Sequence, residues 1–212
     1  RRSHKMGKKA KRGSAGSDSS SAATPHEVFP FSYCIVATAV CLGLALSRPV
    51  SNVERPPHRE YADFASFWPL YVNQHAKPVT KLLHALGTSL ATVTVVPTHG
   101  VQTFLRLGLG IASGIALSLC AVDLTATQPT GLPEALVMVV LLVGAIRKFT
   151  GMSAGRILLQ LASGYVFPWI AHFFVELNKP ATFRHPTFSF IGDFTLLTSL
   201  LTGRLALDAS TV

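Results

Sequence analysis

The chain has 212 residues, enough for one compact domain rather than two large ones. Hydrophobic residues make up 49% and charged residues 14%, with a mean hydropathy of +0.39; soluble domains carry about a quarter charged residues, so a mostly wetted surface is excluded. The formal charge of +9 is uneven, since residues 1–27 hold a net +5 of it.

Residues 1–27 read as a flexible, basic tail of low complexity, rich in Ser, Gly and Ala. Up to Ala23 the composition is transit-like, with almost no acids, and the numbering opens Arg1-Arg2-Ser3 rather than on Met, as if a leader had been removed or the chain began upstream of Met6. The tail lacks the aromatic interleaving of a nucleic-acid binder; anionic lipid or an acidic partner suits it better. Residues 28–47 are uncharged and about one bilayer long, which predicts an N-terminal transmembrane helix closed by Arg48-Pro49. Residues 48–60 form a Pro-rich linker (Pro49, Pro56, Pro57), and residues 61–207 a membrane-embedded domain that holds the histidine motifs.

That domain opens on an aromatic stripe, Tyr61, Phe64, Trp68 and Tyr71, followed by His75. The spacing of three and four places these residues on one helical face, suited to the bilayer interface or to lipid, with Pro69 as a kink. Apolar runs follow at 82–96, 101–122, 132–146 and 157–177, with a weaker one at 188–207 that contains Asp193 and Arg204. Gly108, Gly110, Ala112 and Gly114 give the 101–122 run a small-residue face for close helix contact. The fold class expected is therefore all-α, a polytopic membrane helical bundle of about five to six spans. Threading the spans in order puts the basic tail and the basic 147–156 connection on one side, as the positive-inside rule requires. Cys34, Cys41 and Cys120 lie inside apolar runs, an odd count that argues for inert thiols and against a disulfide framework.

The same threading brings His75, His84, His172, Glu176 and His185 to the face opposite the tail. Pro78 separates His75 from His84, disfavouring helix before it and opening a new one, so the two rings can face each other across a bend. His172 and Glu176, four apart, share a helical face. Neutral imidazoles with a carboxylate and open positions form a ligand set for non-haem Fe(II); a carboxylate also serves to orient a ligand ring. Zinc is less favoured, with no thiolate and no closed tetrahedron in view. The bland account is that histidines at span ends cap helices or snorkel to the interface. His4, His26, His58 and His99 carry no such signal. Asp193, in an apolar run, is a functional candidate or else pairs with Arg184 or Arg204. There is no P-loop and no GxGxxG, and Gly151-Met152-Ser153-Ala154-Gly155 has the letters of a nucleophile elbow without the preceding strand.

At these residues the chain resembles a known family. Phe67-Trp68-Pro69-Leu70-Tyr71, then His75, Pro78, His84 and Gly87-Thr88, match the opening motif of the fungal 2-hydroxy fatty acid dioxygenases that metabolise phytosphingosine to odd-numbered fatty acids. The second motif is similar to the bacterial branch: Gly164-Tyr165, Trp169-Ile170-Ala171-His172-Phe173-Phe174, Glu176 and Asn178-Lys179-Pro180-Ala181-Thr182-Phe183, continuing through Gly192-Asp193-Phe194 to Leu201-Thr202-Gly203-Arg204-Leu205. The resemblance implies an integral membrane, Fe(II)-dependent dioxygenase that shortens a 2-hydroxy long-chain fatty acid by one carbon, in the endoplasmic reticulum. It makes His75, His84 and His172 iron ligands, with Glu176 and His185 as further ligand or second-shell candidates. Against that pattern the chain adds a basic tail and an N-terminal span, and its stretch between His84 and His172 is about twice as long. A rival reading follows from those additions. It is a non-catalytic accessory subunit of a larger membrane complex, with the mitochondrial inner membrane as the alternative location, whose partner subunits contact the tail and the added spans.

Overall fold

The computed structural model describes residues 28–49 and 53–207; the basic tail, residues 1–27, lies outside the described residues. Among those described the secondary structure is helical throughout. It runs α1 (Phe31–Leu46), α2 (Phe64–Asn73), α3 (Pro78–Val93), α4 (Val95–Ala121), α5 (Leu132–Thr150), α6 (Ala154–Ile170) and α7 (Pro186–Leu201). Short 3-10 turns cover Pro57–Arg59, Val122–Thr125 and Ala181–Phe183, and a π turn, Ala171–Glu176, prolongs α6.

Local chemistry sets the helix ends. The Asp63 carboxylate accepts from the Ser66 amide at 2.8 Å and caps α2. Pro78 and Pro186 occupy first-turn positions of α3 and α7, where a missing N–H is harmless. Gly151, at φ 76°, closes α5 in the left-handed region. Gly100, at φ 80° and ψ 168°, is non-helical, so α4 consists of two helical pieces meeting at a kink, and the break expected between the 82–96 and 101–122 runs lies there.

Two helical stretches, Thr98–Thr125 and Ala154–Glu176, are long and apolar enough to cross a bilayer; α1 is apolar but only 16 residues long. Among the described residues the five to six crossings expected from the sequence thus reduce to two by length and composition. Helix α4 packs along α5 on one side and against α1 on the other, while α3 packs against α6 and α7. The small-residue face on α4 is used at Gly110 and Gly114, where an added Cβ would sit 2.9 and 2.8 Å from the Cα atoms of Ile146 and Leu142. Arg106 ties three elements together, donating to the carbonyls of Phe29 (2.6 Å) and Phe149 (3.1 Å).

The Pro-rich linker is clamped rather than loose. Arg48 and Arg55 both pair with Asp123, and buried Arg59 pairs with Glu134, which also accepts from the Thr187 amide at 3.0 Å. That chain of contacts joins the linker to α5 and α7. The aromatic stripe requires a correction. Tyr71 is buried, and with Phe67 it packs on Phe188 and Leu196 of α7, while Tyr61, Phe64 and Trp68 lie half-buried against the same cluster. Gly192 leaves room for Tyr71: a Cβ there would fall 2.6 Å from the ring.

Candidate metal centre

Three elements meet at one end of the bundle. His75 lies in the break between α2 and α3, which Pro78 enforces. His84 projects from the second turn of α3, and His172 begins the π turn that follows α6. All three rings are buried. Their centroids lie 4.1 Å (His75–His84), 4.8 Å (His75–His172) and 5.1 Å (His84–His172) apart, each pair close to perpendicular. The ligand nitrogens of all three lie within 4.8 Å of one another.

The second nitrogen of each ring fixes what the first can do. His75 Nδ1 bonds the Tyr71 carbonyl oxygen, which only accepts. His84 Nδ1 lies 2.7 Å from the Asp193 carboxylate, which also accepts from the Tyr71 hydroxyl at 2.6 Å. His172 Nδ1 lies 2.7 Å from the amide oxygen of Asn178, whose Nδ2 donates to the Gln74 carbonyl at 3.2 Å. Each Nδ1 therefore carries the proton, and each Nε2 presents a lone pair. The Nε2 atoms of His75 and His84 are 3.0 Å apart. Two lone pairs at that distance repel unless a cation lies between them. Burial, with the neighbouring His84 and His172 rings, holds the His75 imidazole well below its ordinary range, so proton sharing across the gap is disfavoured and a metal ion fits. The donor set, three neutral imidazoles on one side of a small cavity, suits Fe(II) or Zn(II) with open positions.

Two residues singled out from the sequence do not join the cluster. Glu176 accepts from the Lys77 amide (2.8 Å) and the Thr80 hydroxyl (2.7 Å), so its carboxylate caps the start of α3 from a neighbouring element. His185 packs edge-on to Tyr61 and stacks on Phe188, and burial followed by the nearby Arg59 and Arg184 lowers its pKa to about 4. It is a neutral core ring.

Two other residues enter in their place. Asp193 pairs with His84 and Tyr71 rather than with Arg184 or Arg204; an acid in an apolar run had flagged it without naming its partner. Asn178 had no signal of its own. It reaches His172 because Leu177 adopts the left-handed conformation, at φ 59°, and folds the chain back so that the Asn178 amide donates to the His172 carbonyl at 3.0 Å.

The motif that carries these histidines also identifies the chain's relatives. A family model described as 2-hydroxy-palmitic acid dioxygenase Mpo1-like matches residues 61–205, well over half of the chain. No curated protein and no solved structure gives a match.

Proposed function

The chain belongs to the 2-hydroxy-palmitic acid dioxygenase Mpo1-like family, and we propose that it is an integral membrane, Fe(II)-dependent dioxygenase that shortens 2-hydroxy long-chain fatty acids by one carbon. The observation that carries this reading is the common aim of three Nε2 lone pairs whose Nδ1 protons are all committed to acceptors. His75, His84 and His172 would hold the iron, which supplies oxygen binding and one-electron chemistry that protein side chains lack. Consuming one O2 per 2-hydroxy acid balances with release of the carboxyl carbon as CO2 and of one water.

The chain's own residues have definable parts in this. Asp193 and the Tyr71 carbonyl hold the His84 and His75 rings in one tautomer, and Asn178 does so for His172. Pro168, Trp169, Pro180 and Ala181 line the cavity and limit water. Membrane insertion is supported by the two long apolar stretches and by large side chains left exposed on several helices: Val36 and Val40 on α1, Leu136 and Val140 on α5, Leu159 on α6 and Phe174 just beyond it. In a soluble protein such surfaces would aggregate; in a bilayer they are solvated. The family resemblance favours the endoplasmic reticulum.

The accessory-subunit reading rests on α1, which packs on α4 and leaves Tyr33, Val36 and Leu44 exposed. A subunit without chemistry has no need for three oriented, desolvated imidazoles, so the enzyme is the better reading. Full-length protein purified in detergent and reconstituted anaerobically with Fe(II) should hold about one iron per chain. It should consume oxygen with 2-hydroxyhexadecanoic acid and release the acid one carbon shorter. Protein that stays metal-free after reconstitution would refute the proposal.

A further inference from the structure

Along α3 and α6, away from the histidines, lies a narrow apolar crevice walled by α3, α4, α5, α6 and α7. Most of its wall is aliphatic or aromatic: Leu107, Ile111, Ile146, Met152, Ile157 and Phe190. The polar side chains in the wall are largely engaged elsewhere. The Thr92 hydroxyl donates to the Thr88 carbonyl at 2.9 Å, Gln160 Nε2 donates to the Ala91 carbonyl at 2.6 Å, and Asp193 is taken by His84 and Tyr71. Such a lining matches a hydrocarbon chain.

The cavity is not isolated. Tyr165 and Asp193 line both it and the small cavity beneath the three histidines. At that junction the Tyr165 hydroxyl is buried and makes no hydrogen bond, and neither does the Ser189 hydroxyl on the wall of the histidine cavity. Buried hydroxyls without partners are rare in folded proteins, because each gives up its hydration with nothing in return. Two of them, beside a trio of oriented imidazoles and at the mouth of an apolar crevice, form a binding site for a molecule with a polar head and a long tail. From Tyr165 to Ile157 the crevice follows about 12 Å of helix, which sets the direction in which an acyl tail would run.

We propose that this crevice is the acyl-chain site, that Tyr165 and Ser189 donate hydrogen bonds to the oxygen atoms of the substrate head, and that Met152 and Ile157 at the far end measure chain length. The proposal rests on the function proposed above and adds where the substrate lies, in which direction, and what reads its length. The α3–α6 contact supports the geometry. Gly87 lets α3 pack directly on the Gly164 backbone beside the junction, and the Gln160 bond to the Ala91 carbonyl keeps the two helices together along the crevice wall.

The test uses full-length protein in detergent without added metal and a 2-hydroxyhexadecanoic acid bearing a diazirine at its terminal carbon. Photolabelling should mark Met152, Ile157 or Ile146 in peptide mapping, and unlabelled 2-hydroxyhexadecanoic acid should compete. In the iron-loaded protein, Ile157→Trp should shift the preferred chain length at least tenfold toward 2-hydroxydodecanoic acid, with iron content unchanged. Tyr165→Phe should raise KM about tenfold and weaken labelling in parallel. Labels scattered outside the crevice, together with an unshifted length preference in an enzyme that turns over, would overturn the crevice and leave the function standing. Competed labelling inside the crevice of a protein that binds no iron would support the lipid site and refute the dioxygenase. Should Ile157→Trp fail to fold, the labelling pattern of the unaltered protein decides.

Discussion

The end of the molecule that holds His75, His84 and His172 and the slab formed by α1, α4 and α5 are stabilised in opposite ways. At the histidine end, hydrogen-bonded polar side chains hold the elements together: Asp193 with His84 and Tyr71, Asn178 with His172 and the Gln74 carbonyl, Glu176 with Lys77 and Thr80. In the slab, close approach does the work, with α4 and α5 meeting through Gly110 and Gly114, and α1 held by Thr38, whose hydroxyl lies 2.9 Å from that of Ser113. The lesson is that the first region is sensitive to hydrogen-bond chemistry at constant volume and the second to volume at constant chemistry. Substitutions can separate the two.

The largest effect is expected at the ligands. His172→Ala leaves two imidazoles and should abolish stoichiometric iron binding, read by metal analysis after gel filtration, with the helical circular dichroism unchanged. Collapse of the helical signal would mean that the ring is structural and that the comparison fails. Next comes Asp193→Asn, which keeps the size of the side chain but removes the charge facing His84 Nδ1. Loss of an oriented partner of this kind typically lowers metal affinity 10–100-fold, about 1.4–2.8 kcal/mol. A competition titration against a chelator measures it. An unchanged affinity would show that the Asp193 contact does not orient the ligand.

How much of this was legible beforehand follows the same division. Proline placement announced the α2–α3 break, because the missing N–H acts locally and needs no tertiary knowledge. That break and the threading of the apolar runs brought His75, His84, His172, Glu176 and His185 to one face, and the family resemblance singled out the three histidines as ligand candidates. The partners of the rings were not legible in this way. Asp193 stands 109 residues from His84, and no local pattern says that an acid in an apolar helix will meet a ring rather than an arginine. The partners of Glu176 were equally hidden: a shared helical face with His172 made it a ligand candidate, but the Lys77 amide and the Thr80 hydroxyl that hold it are distant in sequence. Tyr71 was misplaced for the converse reason. Its spacing with Tyr61, Phe64 and Trp68 defines a face, but whether that face meets lipid or α7 depends on Gly192, over a hundred residues away.

In the slab, Gly114→Leu should act through volume alone. Its side chain would push against the Leu142 backbone, and overpacking of this kind destabilises by about 1–3 kcal/mol. The melting temperature in detergent should fall while iron per folded chain stays near one. Loss of iron in the folded fraction would show that the slab and the histidine end are coupled.

The smallest effect separates two accounts of a single residue. Lys77 and Thr80 stand between His75 and His84, so Glu176 braces the segment that spaces the two ligands without reaching the metal. Glu176→Ala removes a cap from the first turn of α3, worth about 1 kcal/mol, and should lower metal affinity by less than about tenfold. Glu176→Gln retains an acceptor for the Lys77 amide and the Thr80 hydroxyl and should recover most of the stability. A ligand role predicts otherwise: both variants would lose iron nearly as completely as His172→Ala, and Gln, a poor ligand for a hard cation, would rescue nothing. Measuring stability and iron content side by side in the two variants therefore distinguishes a carboxylate that holds the backbone from one that holds the metal.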